Sequence, residues 1–172
     1  YNVASDKKIW EFYPIDCSNK DKFYTAYNTA LTERENGTCY PFIIFHKPSG
    51  KLIGSTRLFD IVQKDRKLEI GWTWLQPAYW GSGINLECKL LLLTFCFEKL
   101  GAVRVQLKAT ETNYRSRKAI EKIGGQFEGV LRKDRLRDNG TFRNTAYYSI
   151  IDDEWLHVKK VIEAAIHKRK LY

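Results

Sequence analysis

The sequence contains no apolar run near the roughly 20 residues that a membrane-spanning helix needs. Its best, KLLLLTFCF (89–97), is too short and opens on a charge. No secretory leader is visible, although the chain begins at Tyr1 rather than Met. A fragment, or a chain whose leader has been removed, is compatible with that start. Cysteine is scarce. Cys17, Cys39, Cys88 and Cys96 form no pair at CxxC spacing, and His46, His157 and His167 are scattered. Such a set argues against a zinc centre, so no metal is expected, and it points to a reducing, cytoplasmic compartment. Cys88 and Cys96 stand eight apart in an apolar helical stretch and are expected to share a buried face. Repeats, low-complexity tracts and linkers are also lacking.

What is present fits one domain spanning 1–172. Hydrophobic residues make up 44% and charged residues 28%, which excludes disorder and collagen as the main class. The formal net charge is +9, which predicts an anionic partner: nucleic acid, a phosphorylated cofactor or an acidic surface. Solubility alone would be the plainer explanation.

Periodicity predicts a helix over 18–36, capped by Ser18, with Phe23, Ala26, Tyr27, Ala30 and Leu31 on one face and Gly37 at its end. Strand-like segments follow at 40–46, 52–62 and 68–75, joined by short turns as an antiparallel meander. A helix is expected over 84–100 and a strand over 102–110. A short helix over 114–123 turns Ala119, Ile120 and Ile123 inward. Strands at 125–137 and 141–151 flank an Asp-Asn-Gly hairpin turn. A last helix over 153–168, capped by Asp152 or Asp153, carries Trp155, Val158, Val161, Ile162 and Ala165. The order predicts a mixed α/β sheet.

Two stretches carry chemistry. In LEIGWTWLQPAYWGSGINLE (68–87) a strand runs into a loop whose Gly81-Ser82-Gly83 opens the long helix. Glycines let the backbone approach a ligand, and the amides at a helix start suit a phosphate. A turn needed only for packing would look the same. The Walker pattern is absent, and Leu86 stands where a dinucleotide fingerprint needs its third glycine. In TETNYRSRKAIEKIGGQFEGVLR (110–132), Asn113 and Ser116 sit at the mouth of the short helix. Asn113 could be a cap alone, and Ser116 a solvated first turn. Arg115, Arg117, Lys118 and Lys122 form the next cationic group, and Arg132, Lys133, Arg135, Arg137 and Arg143 extend it along the hairpin.

Taken together, these stretches resemble the GNAT acetyltransferase superfamily, in its RimJ/RimL-type branch of ribosomal-protein alanine acetyltransferases. The resemblance runs from about Trp10 to Trp155. The family loop Q/R-x-x-G-x-G/A is read at Tyr79–Gly83, after the branch-typical EIGWTWL. Ala78 stands where the family often has Arg or Gln. The N-x-x-S motif matches Asn113 and Ser116, and Ala119, Gly124, Glu128, Gly129 and Arg132 match the branch's downstream pattern. The resemblance implies an α/β (α+β) domain with a mostly antiparallel twisted sheet and splayed central strands. It also implies that the first strand and much of the first helix of that fold are missing before Trp10.

Function, too, is implied only through the resemblance. Acetyl-CoA would be the donor, and an amine would attack its thioester directly. Backbone groups from Trp72 through Trp74 to Leu75 would hold the pantetheine arm. The loop of Trp80, Gly81, Ser82, Gly83, Ile84 and Asn85 would hold the pyrophosphate. Asn113 and Ser116 would lie by the acetyl end and the sulfur, and Arg117 and Lys118 would reach the adenosine phosphates. A backbone N–H near Trp74 would polarise the thioester carbonyl. The tyrosine that related branches use as general acid is replaced by Ile120. Glu69 is the candidate base, or else a surface strand carboxylate. The acceptor would be a protein N-terminal amine, a ribosomal protein among the candidates, or a small-molecule amine such as an antibiotic or polyamine. A homodimer is compatible, and no membrane partner is expected. The competing reading is a basic nucleic-acid or ribosome-binding module with a vestigial CoA site.

Overall fold

In the computed structural model, which describes residues 1–170, three strands of the first half follow directly from their turns. β1 (Tyr40–His46), β2 (Lys51–Val62) and β3 (Lys67–Leu75) form the expected antiparallel meander. Their connections close on left-handed residues, Gly50 at φ 64° and Arg66 at φ 46°. After α2 (Ile84–Thr94), β4 (Arg104–Thr110) enters parallel to β3. Then come α3 (Tyr114–Lys122), β5 (Gln126–Leu136), β6 (Phe142–Ile151) and α4 (Asp152–Lys170). The sheet order is β1-β2-β3-β4-β6-β5.

One join in this sheet is short. β3 and β4 pair only from Lys67–Arg104 to Glu69–Gln106. Opposite this, β2 meets β3 out of register: Arg57 faces Gly71, and Ser55 faces Trp74. Two residues of β3 therefore oppose one of β2, which is a bulge, and Trp72 sits there at φ 50°. A bulge bends its strand, and here the central strands part beyond Glu69. The splay expected from the resemblance is thus built from a register shift.

A main core of Leu58, Ile70, Leu93, Leu107, Ile123, Tyr148, Ile150 and Ile162 fills the space between sheet and helices. Each such side chain contributes roughly 1.5–3 kcal/mol when fully buried. A second cluster belongs to the N-terminal segment. Two single 3₁₀ turns, Asn2–Ala4 and Lys7–Ile9, bury Ala4, Ile9 and Trp10 against Trp74 and Trp80. Trp10 Nε1 donates to the Ala4 carbonyl at 2.7 Å.

Several local expectations change. α1 (Lys20–Glu35) is capped by Asn19, whose Oδ1 accepts from the Lys22 amide at 3.0 Å, and not by Ser18. Ser18 instead bonds to Asp16. Tyr27 is exposed, since α1 meets the sheet mainly through Ala30. The helix from Ile84 turns to π-helical geometry over Phe95–Lys99 before Gly101 ends it at φ 63°. Cys96 lies in the main core, whereas Cys88 packs against the Ile44–Ile53–Leu75 cluster, so the two thiols do not share one face. Ile151 takes the cap position of α4. Glu154 reaches back to its amide, so neither Asp152 nor Asp153 is the cap. Val161 faces solvent.

Gly54 carries a test of the β2–β3 join. A Cβ there would stand 2.2 Å from the Trp74 carbonyl oxygen and 3.2 Å from Leu75 Cα. Backbone cannot rotate away, so Gly54→Ala forces the strands apart. The expected cost is about 2–3 kcal/mol, read as a lower urea midpoint at unchanged slope.

Candidate active site

The parted strands leave two cavities, one on each side of β3. The first, about 280 Å³, lies toward α2 and α3 and is lined by Trp74, Leu75, Trp80, Gly81, Gly83 and Asn85. The second, about 1210 Å³, opens between the N-terminal segment, α1 and the β5–β6 hairpin. Six residues line both: Tyr13, Gly71, Trp72, Lys108, Asn113 and Ser116. The bulge, the end of β4 and the mouth of α3 thus meet at one place.

The first cavity is floored by the glycine loop. Gly81 (φ 74°) and Gly83 (φ 95°) both hold left-handed backbone, and Gly83 is the N-cap residue of α2. A Cβ at Gly81 would meet nothing within 4 Å, so space lies above it. Ser82 points back, its Oγ donating to the Tyr79 carbonyl at 2.7 Å. Ile84 packs with Ile44, Ile53 and Leu75. Neither lines the cavity, unlike the other residues of the loop prediction. Along β3, Tyr13 donates to the Thr73 carbonyl at 2.6 Å, and Trp80 Nε1 donates to that of Leu75 at 2.9 Å. Two carbonyls of the expected pantetheine edge are therefore occupied within the chain.

At α3, Asn113 is indeed a cap: its Oδ1 accepts from the Ser116 amide at 3.1 Å. Its place between the two cavities is additional to that bond. Arg117 turns away, donating from Nε to Tyr148 at 2.8 Å and from its NH1 to the Glu111 carbonyl at 3.2 Å. The cations that line the first cavity are Arg115, Lys122, Lys89 and Lys108. The Arg115 guanidinium lies 3.6 Å from the Trp80 ring centroid, tying α3 to the loop by a cation–π contact. On a short helix, reading only which residues are basic does not decide which of them turn inward.

Glu69 is buried, at 3% exposure, and faces the second cavity. Its Oε2 accepts from Lys108 Nζ at 2.7 Å and from Gln106 Nε2 at 3.1 Å. Its Oε1 lies beside Gly71, 3.2 Å from where a Cβ would stand. Burial raises the Glu69 pKa, and the bond to Lys108 opposes that. Burial is the largest influence and works against the Lys108 ammonium, but the bond to Glu69 and the charges of Glu69, Tyr147 and Asp60 together outweigh it and its pKa rises. The reading of Glu69 as a surface carboxylate is thereby corrected.

Sequence reasoning missed Lys89. It is 5% exposed, and its Nζ donates to Thr73 Oγ1 at 2.7 Å, which in turn shares a bond with Thr56 Oγ1 at 2.8 Å. The signal was the charge opening an otherwise apolar run. Burial lowers its pKa to about 8. An unfolded lysine titrates near 10.4, so between about pH 8 and 10.4 the unfolded chain binds the extra proton and stability rises with pH. Below pH 8 the buried charge costs about 3 kcal/mol, against about 1 from its hydrogen bond. Lys89→Met is therefore expected to stabilise the fold at pH 7 by about 2 kcal/mol. It should also flatten the rise between pH 8 and 10, both read by urea unfolding.

The geometry is joined by comparison with known proteins. The profile described as "Acetyltransferase (GNAT) domain" matches residues 1–126. The chain belongs to the GNAT family. The match begins at the first residue, so the N-terminal turns lie inside the family domain. Among curated relatives of this GNAT chain, Bacillus subtilis YdaF is 38% identical over 62% of the chain. That alignment spans 57% of YdaF, and the relative bears the name "Putative ribosomal N-acetyltransferase YdaF". A GCN5-related N-acetyltransferase from Brucella melitensis superposes with TM-score 0.85 at 25% identity, over 95% of this chain and 75% of that one. RimJ of Mycobacterium smegmatis, solved with CoA-disulfide, shares the fold with TM-score 0.73 at 22% identity, over 84% and 68% of the two chains. The expected six-stranded mixed sheet and the GNAT domain are both present. Among the described residues no helix is long and apolar enough to cross a membrane, and no group of side chains could hold a metal ion.

Proposed function

We propose that the chain is an acetyl-CoA-dependent N-acetyltransferase whose acceptor is the N-terminal α-amine of a protein. The observation that carries this is the meeting of two cavities at Gly71 and Trp72. A transferase with direct attack needs two reactants held end to end, and most of its rate comes from that positioning. The residues of the first cavity fit the donor. Open space above Gly81, a helix start at Gly83 and the cations Arg115 and Lys122 suit a pyrophosphate. When bound, acetyl-CoA supplies the activated acetyl group as a thioester.

The chain's own groups then do the rest. Asn113 and Ser116 border the junction from α3. Tyr13, its hydroxyl fixed on the Thr73 carbonyl, closes the junction against water from the N-terminal side. Glu69, with Oε1 beside Gly71, takes the proton from the attacking amine. The demand on this base is modest. An α-amine has a pKa of about 7.7–8.0, against about 10.4 for a lysine side chain. That difference favours an N-terminal acceptor by roughly 3.5 kcal/mol near neutrality. The size of the second cavity agrees, since small-molecule pockets span roughly 300–1,000 Å³. The name of YdaF supports a ribosomal protein as the acceptor.

Calorimetric titration with acetyl-CoA at low and high salt tests the donor site. One-to-one binding that survives salt is expected, because nucleic-acid affinity would fall steeply instead. Incubation with N-terminal peptides, followed by mass, then tests transfer. Absence of binding at either salt overturns the donor site, and binding without transfer to any amine overturns the transferase reading.

A further inference from the structure

The second cavity has its own charge pattern. Two of its cations are matched within the chain: Lys22 by Asp138, and Lys108 by Glu69 and Asp60. Arg57, Arg135 and Arg143 also line it, and none forms an ion pair among the described residues. Arg57 lies 4.5 Å from the Trp72 ring centroid and donates to the Ala26 carbonyl at 3.3 Å. Arg143 donates from its NH1 to Thr110 Oγ1 at 3.1 Å and to the Phe12 carbonyl at 3.4 Å. Its Nε is out of contact with water and has no hydrogen-bond partner. Asp134 acts on Arg143 by charge; its Oδ1 accepts from Tyr147, and its Oδ2, like the Arg143 Nε, is buried without a hydrogen-bond partner. Burial raises the Tyr13 pKa, and the charges of Arg115, Arg143 and Arg57 oppose that.

A buried donor without a partner is rare in a finished fold and calls for an explanation. The Nε itself is closed to solvent and so to a ligand; what favours an anion is that three guanidinium groups without an ion pair line the same cavity, alongside the carboxylates of Asp21 and Glu33. A guanidinium presents donors in a planar fork that a carboxylate matches with two bonds.

We propose that Arg57, Arg135 and Arg143 form a carboxylate-binding subsite in the acceptor groove. It selects acceptors that carry an acidic group close behind the reacting amine. This rests on the transferase reading and narrows its substrate class. The occupant is the side-chain carboxylate of an acidic residue next to the N-terminus. The same chemistry could come from the α-carboxylate of a free amino acid, and the test separates the two.

The full chain, saturated with CoA, is titrated calorimetrically with Ala-Glu-Glu-Gly-Tyr-amide, with Ala-Gln-Gln-Gly-Tyr-amide and with free alanine. The acidic peptide is expected to bind roughly ten- to hundredfold more tightly than its amide twin. Arg143→Gln and Arg135→Gln should each reduce that ratio toward one. Arg135 is exposed, so its replacement keeps the fold if loss of the Arg143 bonds does not. Free alanine binding as tightly as the acidic peptide, with the same loss in both variants, keeps the subsite and assigns it to α-carboxylates. Equal affinity for the two peptides overturns the proposal. Charge-selective binding without acetyl transfer to any of the three would overturn only the transferase reading.

Discussion

Gly83→Val is expected to abolish measurable acetyl-CoA binding, a loss of more than about a hundredfold, in a chain that still folds. The reason lies in the backbone. Gly83 holds φ 95° and ψ −15° as the residue that starts α2. A Cβ in the left-handed region costs roughly 1–2 kcal/mol, and a branched one more. The chain can relieve that strain only by rebuilding the turn, which re-aims the first amides of α2. In the proposed donor site those amides, with the helix dipole, hold the pyrophosphate. The fold has other support, because Leu86 and Leu93 anchor α2 to the main core. A thermal melt by circular dichroism should therefore shift by a few degrees at most, while calorimetry shows no heat of binding. Wild-type affinity in this variant would mean that the loop is only a packing turn. A collapsed melt would mean that the glycine serves the fold.

Some of this site was legible in the sequence because it is written in local conformation. Two glycines before an apolar helix, and Asn-x-x-Ser after a strand, are short-range signals, and both lie where the cavities meet or begin. The meander and the Asp-Asn-Gly hairpin were equally local. The remainder depends on what two distant segments do to each other. Trp72 takes left-handed backbone because β2 and β3 differ by one residue in register, and neither strand alone shows that. Tyr13 lies in a segment with no helical or strand period, yet it lines both cavities. Arg115 and Arg117 are two apart on one short helix and so turn different ways. One stacks on Trp80, and the other hydrogen-bonds Tyr148. Lys89 looked like the charged start of an apolar run until α2 was laid against Thr73.

The proposed role of Glu69 as base depends on the same register that opens the sheet. Glu69 is the last residue of β3 paired with β4, and Gly71 follows at the bulge. Oε2 is held by Lys108 and Gln106, while Oε1 is turned toward the junction. Glu69→Gln should lower kcat by about 10²–10⁴, the range of a lost general base. KM for acetyl-CoA should hardly change, because Glu69 does not line the first cavity, the proposed donor site. The fold should persist, since Asp60, 3.6 Å from Lys108, remains to face that ammonium. The pH profile distinguishes a base from a brace. The base must be ionised, and burial raises its pKa, so the wild-type rate should fall as pH drops through that raised value. In Glu69→Gln the acidic limb set by this group disappears. What activity is left rises with pH only as the acceptor amine itself loses its proton, near pH 7.7–8.0 for an α-amine. If the variant keeps the wild-type limb at a lower rate, Glu69 orders Lys108 and Gln106 without touching the proton, and the base must be sought among water bound at the junction.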